Sequence, residues 1–194
     1  RRDMMEGSAY ARLTERFRRR ALIGDALGIL DWDQATTMPE GSADGRAEQI
    51  ATLSVIRHEL MVAPGVGESI GQAEVDLGDA SPDDWRLGNL REMKRAHLLA
   101  AAVPSDLVAA TARANAACEV RWRSARAEND FAGLLPALRE VLNLIQQTAA
   151  ARAEALSLAP YDALLEEYEA GTRMVTLDPL FDRLATHLPD VLLR

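Results

Sequence analysis

The first residues to weigh for chemistry are His58 and Glu59. A helix reading His-Glu-x-x-His holds Zn²⁺ between two imidazoles four residues apart, while its Glu activates the metal-bound water. Arg57-His58-Glu59-Leu60-Met61-Val62 begins that way, then places Val62 where the second imidazole belongs. One imidazole cannot grip the ion, and His97 and His187 stand alone in sequence. No metal site is therefore expected within these residues. Asp31 and Asp33 flank Trp32 and could in principle work as an acid/base pair. Neighbours two apart do not share a helix face, however, so a cap plus a surface charge is the simpler reading. Pro160-Tyr161-Asp162-Ala163-Leu164-Leu165-Glu166-Glu167-Tyr168-Glu169 is acidic and aromatic. Its plain reading is a short amphipathic helix with Tyr161, Leu164, Leu165 and Tyr168 inward. Cys118 sits among small apolar residues, reads as a buried hydrophobe and has no disulfide partner. No Gly-rich phosphate loop and no Ser-His-Asp spacing occurs.

The elements that must position these residues are helices nearly throughout. Tyr10, Leu13, Phe17, Ala21, Gly24 and Leu27 recur at spacings of three and four, which stacks them on one side of a helix. That pattern is expected to break at Asp31, ahead of Pro39 and Gly41. A second helix is expected from about Asp44 to Leu60, a weaker one from Glu68 to Asp76, and a fourth starting at Ser81-Pro82. The next carries Val108, Thr111, Asn115, Cys118 and Trp122 on one stripe. Asn129-Asp130 reads as a cap, with Pro136 in the true first turn of the helix that follows. Thr176-Leu177-Asp178-Pro179 reads as the start of a last helix with Leu180, Phe181, Leu184 and Leu188 inward. No alternating run long enough for a strand is present. The expectation is an all-α, antiparallel multi-helix lobe: one helical region over residues 1–194, with 1–7 poorly ordered.

Composition narrows the partners. Apolar residues make up 48 % of the chain, too many for a disordered segment. The formal net charge of -8 argues against a nucleic-acid backbone, which needs clustered Lys and Arg. No stretch reaches the roughly 18 apolar residues of a membrane span. The N-terminus carries no apolar run after its charges, and a single cysteine fits a reducing compartment, so a cytoplasmic protein is expected. Both ends look cut, and a fragment of a longer protein is expected.

Two segments carry a resemblance. Trp32-Asp33-Gln34-Ala35-Thr36-Thr37-Met38-Pro39-Glu40-Gly41, followed by Arg46-Ala47-Glu48-Gln49, resembles the near-N-terminal W-D-Q-x-T-x-M-P-x-G segment of the thermostable carboxypeptidase Taq family. Pro160 through Gly171 resembles that family's P-Y-D-x-L-L-x-x-Y-E-P-G stretch, with Ala170 where Pro is usual. Asn89-Leu90-Arg91-Glu92-Met93 and Asn129-Asp130-Phe131 agree in order and spacing. The resemblance covers the whole chain but well under half of a family member.

It implies the N-terminal part of a larger helical HExxH peptidase fold. The activity it implies is a metal-dependent carboxypeptidase that releases C-terminal residues from peptides, uses Zn or Co and works as a homodimer. The family's HPF, DxRxT, HExxH and GxxQDxHW motifs do not occur here, so no catalytic or metal-binding role passes to any residue of this chain. No metal is expected bound to it. Trp32, Asp33, Gln34, Tyr161 and Tyr168 are the candidates for touching or supporting a substrate groove, with packing and helix capping as the alternative. The rival reading of the whole chain is a stand-alone helical interaction or dimerisation module.

Overall fold

The computed structural model describes residues 7–192, apart from the side chain of Glu40. The expected poorly ordered N-terminus lies outside these residues except for Gly7, whose carbonyl accepts from Arg12 Nη1 at 2.5 Å. The described residues hold eight α-helices and no strand. These are α1 (Ala9–Thr36), α2 (Ala43–Val62), α3 (Val66–Asp76), α4 (Trp85–Ala101), α5 (Ser105–Glu128), α6 (Phe131–Leu156), α7 (Pro160–Leu165) and α8 (Met174–Leu192). A 3₁₀ turn, Glu40–Ser42, precedes α2. The chain forms two compact units, Arg1–Ile145 and Gln146–Arg194, and the division falls inside α6.

In the first unit, α1 packs against α2 and α3, and α2 lies along α5. Its main core joins Ala9 and Leu13 of α1 to Val66, Ile70 and Ala73 of α3, Leu77 just beyond α3, and Leu90 and Met93 of α4. Each large side chain buried there stabilises the unit by roughly 1.5–3 kcal/mol. Helix ends are tied to neighbouring elements, because their last carbonyls have no partner within the helix. Arg16 Nη1 donates to the Leu60 carbonyl at 3.0 Å. His97 Nδ1 donates to the Met61 carbonyl at 2.8 Å, which fixes its proton on Nδ1.

Several boundaries differ from the sequence expectation for local reasons. α1 does not stop at Asp31 but runs to Thr36. No residue from Asp31 to Thr36 forbids the helix, and Pro39 acts only on Met38. α4 starts at Trp85, after its cap Asp84, whose carboxylate accepts from Arg86 N at 3.0 Å. Ser81 instead closes a turn, its carbonyl accepting from Asp84 N at 2.8 Å. Asn129 and Asp130 divide the work of one expected cap. Asn129, at φ 55°, ends α5, while Asp130 Oδ1 accepts from Gly133 N at 2.8 Å and opens α6. Pro136 therefore sits inside α6 instead of in its first turn. On α5 it is Ala116 and Ala125 that are buried, while Trp122 is exposed under the guanidinium of Arg126. Cys118 is half-buried.

In the second unit, α8 begins at Met174 and not at Thr176. Its cap comes from twelve residues back: Asp162 Oδ1 accepts from Met174 N at 2.8 Å. The side chains expected inward on α8 are exposed, and none on this helix is buried.

Candidate functional sites

The C-terminal turns of α1 hold three of the five candidates, and consecutive positions send them to different surroundings. Trp32 is 62 % exposed. Asp33 pairs with Arg46 Nη2 at 2.6 Å and accepts from Thr37 Oγ1 at 2.5 Å. Those two hydrogen bonds, Thr37 first, hold its carboxyl below the ordinary aspartate range. Arg46 also donates to the Leu30 carbonyl at 2.8 Å, so one guanidinium fastens α2 to the end of α1. Gln34 is only 2 % exposed. Its Nε2 donates to Glu119 of α5, which also accepts from Arg123. Gln34 Oε1 is buried and has no donor among the described residues. Asp31, one turn back, has its carboxyl raised by desolvation and by the charge of Glu119, with Arg57 opposing. Chemically this is a braced polar junction carrying one exposed indole.

The second unit holds the other two candidates on a tightly fastened turn. Glu166, nearly buried, pairs with Arg173 Nη1 at 2.5 Å and accepts from Gly171 N at 3.1 Å. Gly171 takes φ +84°, a backbone conformation that side chains with a Cβ rarely adopt. Glu167 pairs with Arg152 at 2.6 Å. On this frame Tyr161 is 61 % and Tyr168 is 88 % exposed. The expected inward tyrosines are thus corrected: the turn of α7 buries Ala163 and most of Glu166 instead. Asp162, Glu166 and Glu167 are engaged in capping and ion pairs, and both rings lie on the surface.

The histidines do not converge on an ion. His58 is nearly buried on α2, and desolvation lowers its pKa against a smaller opposing effect of Glu59. His97 is committed to the Met61 carbonyl, and His187 lies on the exposed α8. Among the described residues no group of three or more His, Cys, Asp or Glu could hold a metal. The donor set among the described residues does not fit the metal of a metallopeptidase. Sequence reasoning missed Glu119, which lies 85 residues from its partner Gln34. Nothing in local spacing marks such a pair.

Comparison with known proteins decides what these helices belong to. The family model described as Carboxypeptidase Taq (M32) metallopeptidase matches residues 12–194. The chain belongs to the carboxypeptidase Taq family. Thermostable carboxypeptidase 1 of Thermus thermophilus is 34 % identical over 97 % of this chain and 38 % of the relative. Thermostable carboxypeptidase 1 of Pyrococcus furiosus is 27 % identical over 98 % of this chain and 37 % of its own length. Among solved structures, metallocarboxypeptidase 1 of Trypanosoma cruzi superposes with a TM-score of 0.77 at 33 % identity, covering 95 % of this chain and 36 % of that one. This carboxypeptidase Taq chain therefore spans a little over a third of the length of the relatives it matches. No described helix is long and apolar enough to cross a membrane.

Proposed function

We propose that this chain is the N-terminal wall of a cytoplasmic, homodimeric metallocarboxypeptidase that releases C-terminal amino acids from peptides. The metal, Zn or Co, and the Glu that activates its water belong to polypeptide beyond these residues. The observation that carries the reading is family membership over residues 12–194, in a chain that covers only 38 % of its Thermus thermophilus relative.

The work of this chain is to hold the peptide in line and to exclude water from the metal, both of which lower the barrier without supplying a reacting group. Trp32 and the pair Tyr161 and Tyr168 suit that task chemically. Their rings offer broad contact area with few rotors to freeze, and each is carried by backbone fixed through ion pairs or caps. Asp33 and Gln34 serve as support, since Asp33 is held by Arg46 and Gln34 is buried against Glu119.

The test has two arms. The 194-residue chain, dialysed and assayed for metal, retains no stoichiometric zinc and cleaves no blocked dipeptide, whereas a family-length protein containing it does both. In that active protein Trp32→Ala raises KM about 10-fold with little change in kcat, as loss of uniform substrate binding does. Peptide hydrolysis or tight metal in the short chain overturns the reading.

A further inference from the structure

The proposed function uses Gln34 as a prop and leaves one of its atoms unexplained. Gln34 is 2 % exposed, and its Nε2 donates to Glu119, whose other oxygen accepts from Arg123. An ionised carboxylate only accepts, so Glu119 fixes the amide with Nε2 toward itself and Oε1 turned away. That Oε1 is buried and has no donor among the described residues. A buried acceptor without a donor is destabilising, and folded proteins nearly always supply one.

The surroundings select the donor. Asp31 stands three residues before Gln34 on α1, the spacing at which side chains of a helix are neighbours. Glu119 joins the two: it accepts from Gln34, and its charge acts on Asp31. The other charged groups around this end of α1 are the Asp33–Arg46 pair, Arg57 of α2 and Arg123 of α5. α3 and α4 meet α1 at its opposite end, around Ala9 and Leu13. Arg46 is engaged by Asp33 and the Leu30 carbonyl, and Arg123 by Glu119. Arg57 Nη1 rests against Gly24, seven residues before Asp31, and its charge favours the ionised carboxylate. Burial and Glu119 favour the opposite form. Once protonated, a carboxyl has one O–H to give.

We propose that the protonated Asp31 carboxyl donates to Gln34 Oε1 and completes a chain, Asp31–Gln34–Glu119–Arg123, that fastens the end of α1 to α5 as an acid-closed latch. Asp31 keeps exposed surface, so a proton from solvent reaches it and converts it from acceptor to donor. Accepting that bond polarises the amide and makes Nε2 a stronger donor to Glu119. As pH rises through the raised Asp31 value, the proton leaves, Oε1 loses its donor, and the carboxylate is left to the charge of Arg57. Trp32 lies between the two residues, on the segment that the latch holds. The latch is independent of the activity proposed above.

Carbon-13 NMR of the whole chain, titrated from neutral pH into acid, tests this at the side-chain carbons of Asp31 and Gln34. Asp31 takes up its proton above the ordinary aspartate value, and Gln34 Cδ shifts with the same midpoint as its oxygen gains a bond. In Gln34→Met the acceptor is gone while the burial stays. Proton affinity at Asp31 then falls about three- to tenfold, the worth of one buried hydrogen bond. If burial and Glu119 alone act on Asp31, its midpoint in that variant stays or rises, and the proposal is overturned. Asp31→Asn, at a partly exposed position, is the second variant. Its Nδ2 donates to Oε1 at every pH, so Gln34 Cδ rests near its acid-end position and no longer titrates. A Gln34 Cδ midpoint that persists in Asp31→Asn assigns the signal to Glu119 and overturns the latch. So does a Gln34 Cδ that never moves in the parent.

Discussion

Residues up to Ile145 and residues from Gln146 onward obey the same helical periodicity and use it to opposite ends. In the first unit the i, i+3, i+4 stripes meet one another, so Leu13, Val66, Ile70, Leu90 and Met93 are each no more than 4 % exposed. In the second, the buried apolar residues are Ala149 and Ala163, while Tyr161, Tyr168, Phe181 and Leu192 are all more than half exposed. The second unit is fastened by polar contacts instead: Asp162 to Met174, Glu166 to Arg173, Glu167 to Arg152. Caps and ion pairs set geometry but contribute little free energy each. Apolar burial supplies the bulk of stability. One unit is stabilised by its own core, and the other buries little of its apolar surface.

The largest effect that separates the two is a core truncation. Leu13→Ala costs about 2–5 kcal/mol, because Leu13 is 1 % exposed within the α1–α3–α4 core. Urea unfolding followed by circular dichroism reads it. A loss below about 1 kcal/mol, within the range of ordinary surface substitutions, would mean that the first unit is not stabilised by this core.

Next in size is the polar junction of the first unit. Gln34→Ala removes the donor to Glu119 and opens a hole, at a cost of about 1–3 kcal/mol. Gln34→Met fills nearly the same space and discards the unpartnered Oε1, so it costs less than the alanine. The reverse order of the two variants, read from their urea midpoints, would show that the space around Gln34 does not accept an apolar side chain of that size.

How much of this was legible in the sequence depends on the range of the interaction. The helical class followed from spacing alone, and the short helix in the Pro160–Glu169 stretch was readable because its pattern is local. The start of α8 was misplaced because its cap, Asp162, lies twelve residues upstream, beyond any local signature. The Asn129-Asp130 pair was seen as one cap, although one residue ends a helix and the next begins another; only the φ of 55° separates them. Tyr161, Tyr168 and the α8 leucines were read inward on the rule that apolar residues are buried. That rule runs one way, and exposure of large apolar side chains in a group is the informative exception. Of the site candidates, the resemblance supplied the positions, and only coordinates could separate the buried Gln34 from the exposed Trp32 beside it.

A third effect belongs to the second unit. Asp162→Ala removes the cap of α8 and costs about 1 kcal/mol locally. It accelerates amide exchange at Met174–Leu177 and leaves α1–α4 untouched. Acceleration spreading into α1 would show that the two regions open together.

Smaller again is a charge effect in the first unit, whose sign is the test. Burial, with Glu119 adding to it, raises the Asp31 carboxyl above its ordinary value of 3.8. The folded chain then holds this proton more tightly than the unfolded chain. The resulting stabilisation is complete below pH 3.8 and is lost as pH rises through the raised value. Ionised Asp31 is therefore a net cost at neutral pH, and a small one, since the residue keeps exposed surface. Asp31→Asn is more stable than the parent at pH 7, and the advantage shrinks toward pH 3.5. An advantage that grows with acid would reverse the assignment.

The smallest expected effect cuts deepest into the contrast. Leu184→Ala on α8 removes as many atoms as Leu13→Ala on α1, yet in this chain it changes stability by no more than about 0.5 kcal/mol, because a side chain that solvent already reaches loses little burial and leaves no cavity. Helix propensity even favours the alanine slightly. The identical chemical change thus reads out packing alone, with side-chain type held constant. If urea unfolding showed a loss for Leu184→Ala approaching that of Leu13→Ala, the apolar face of α8 would be packed within this chain, and the division between a core-stabilised unit and one with little core would fail.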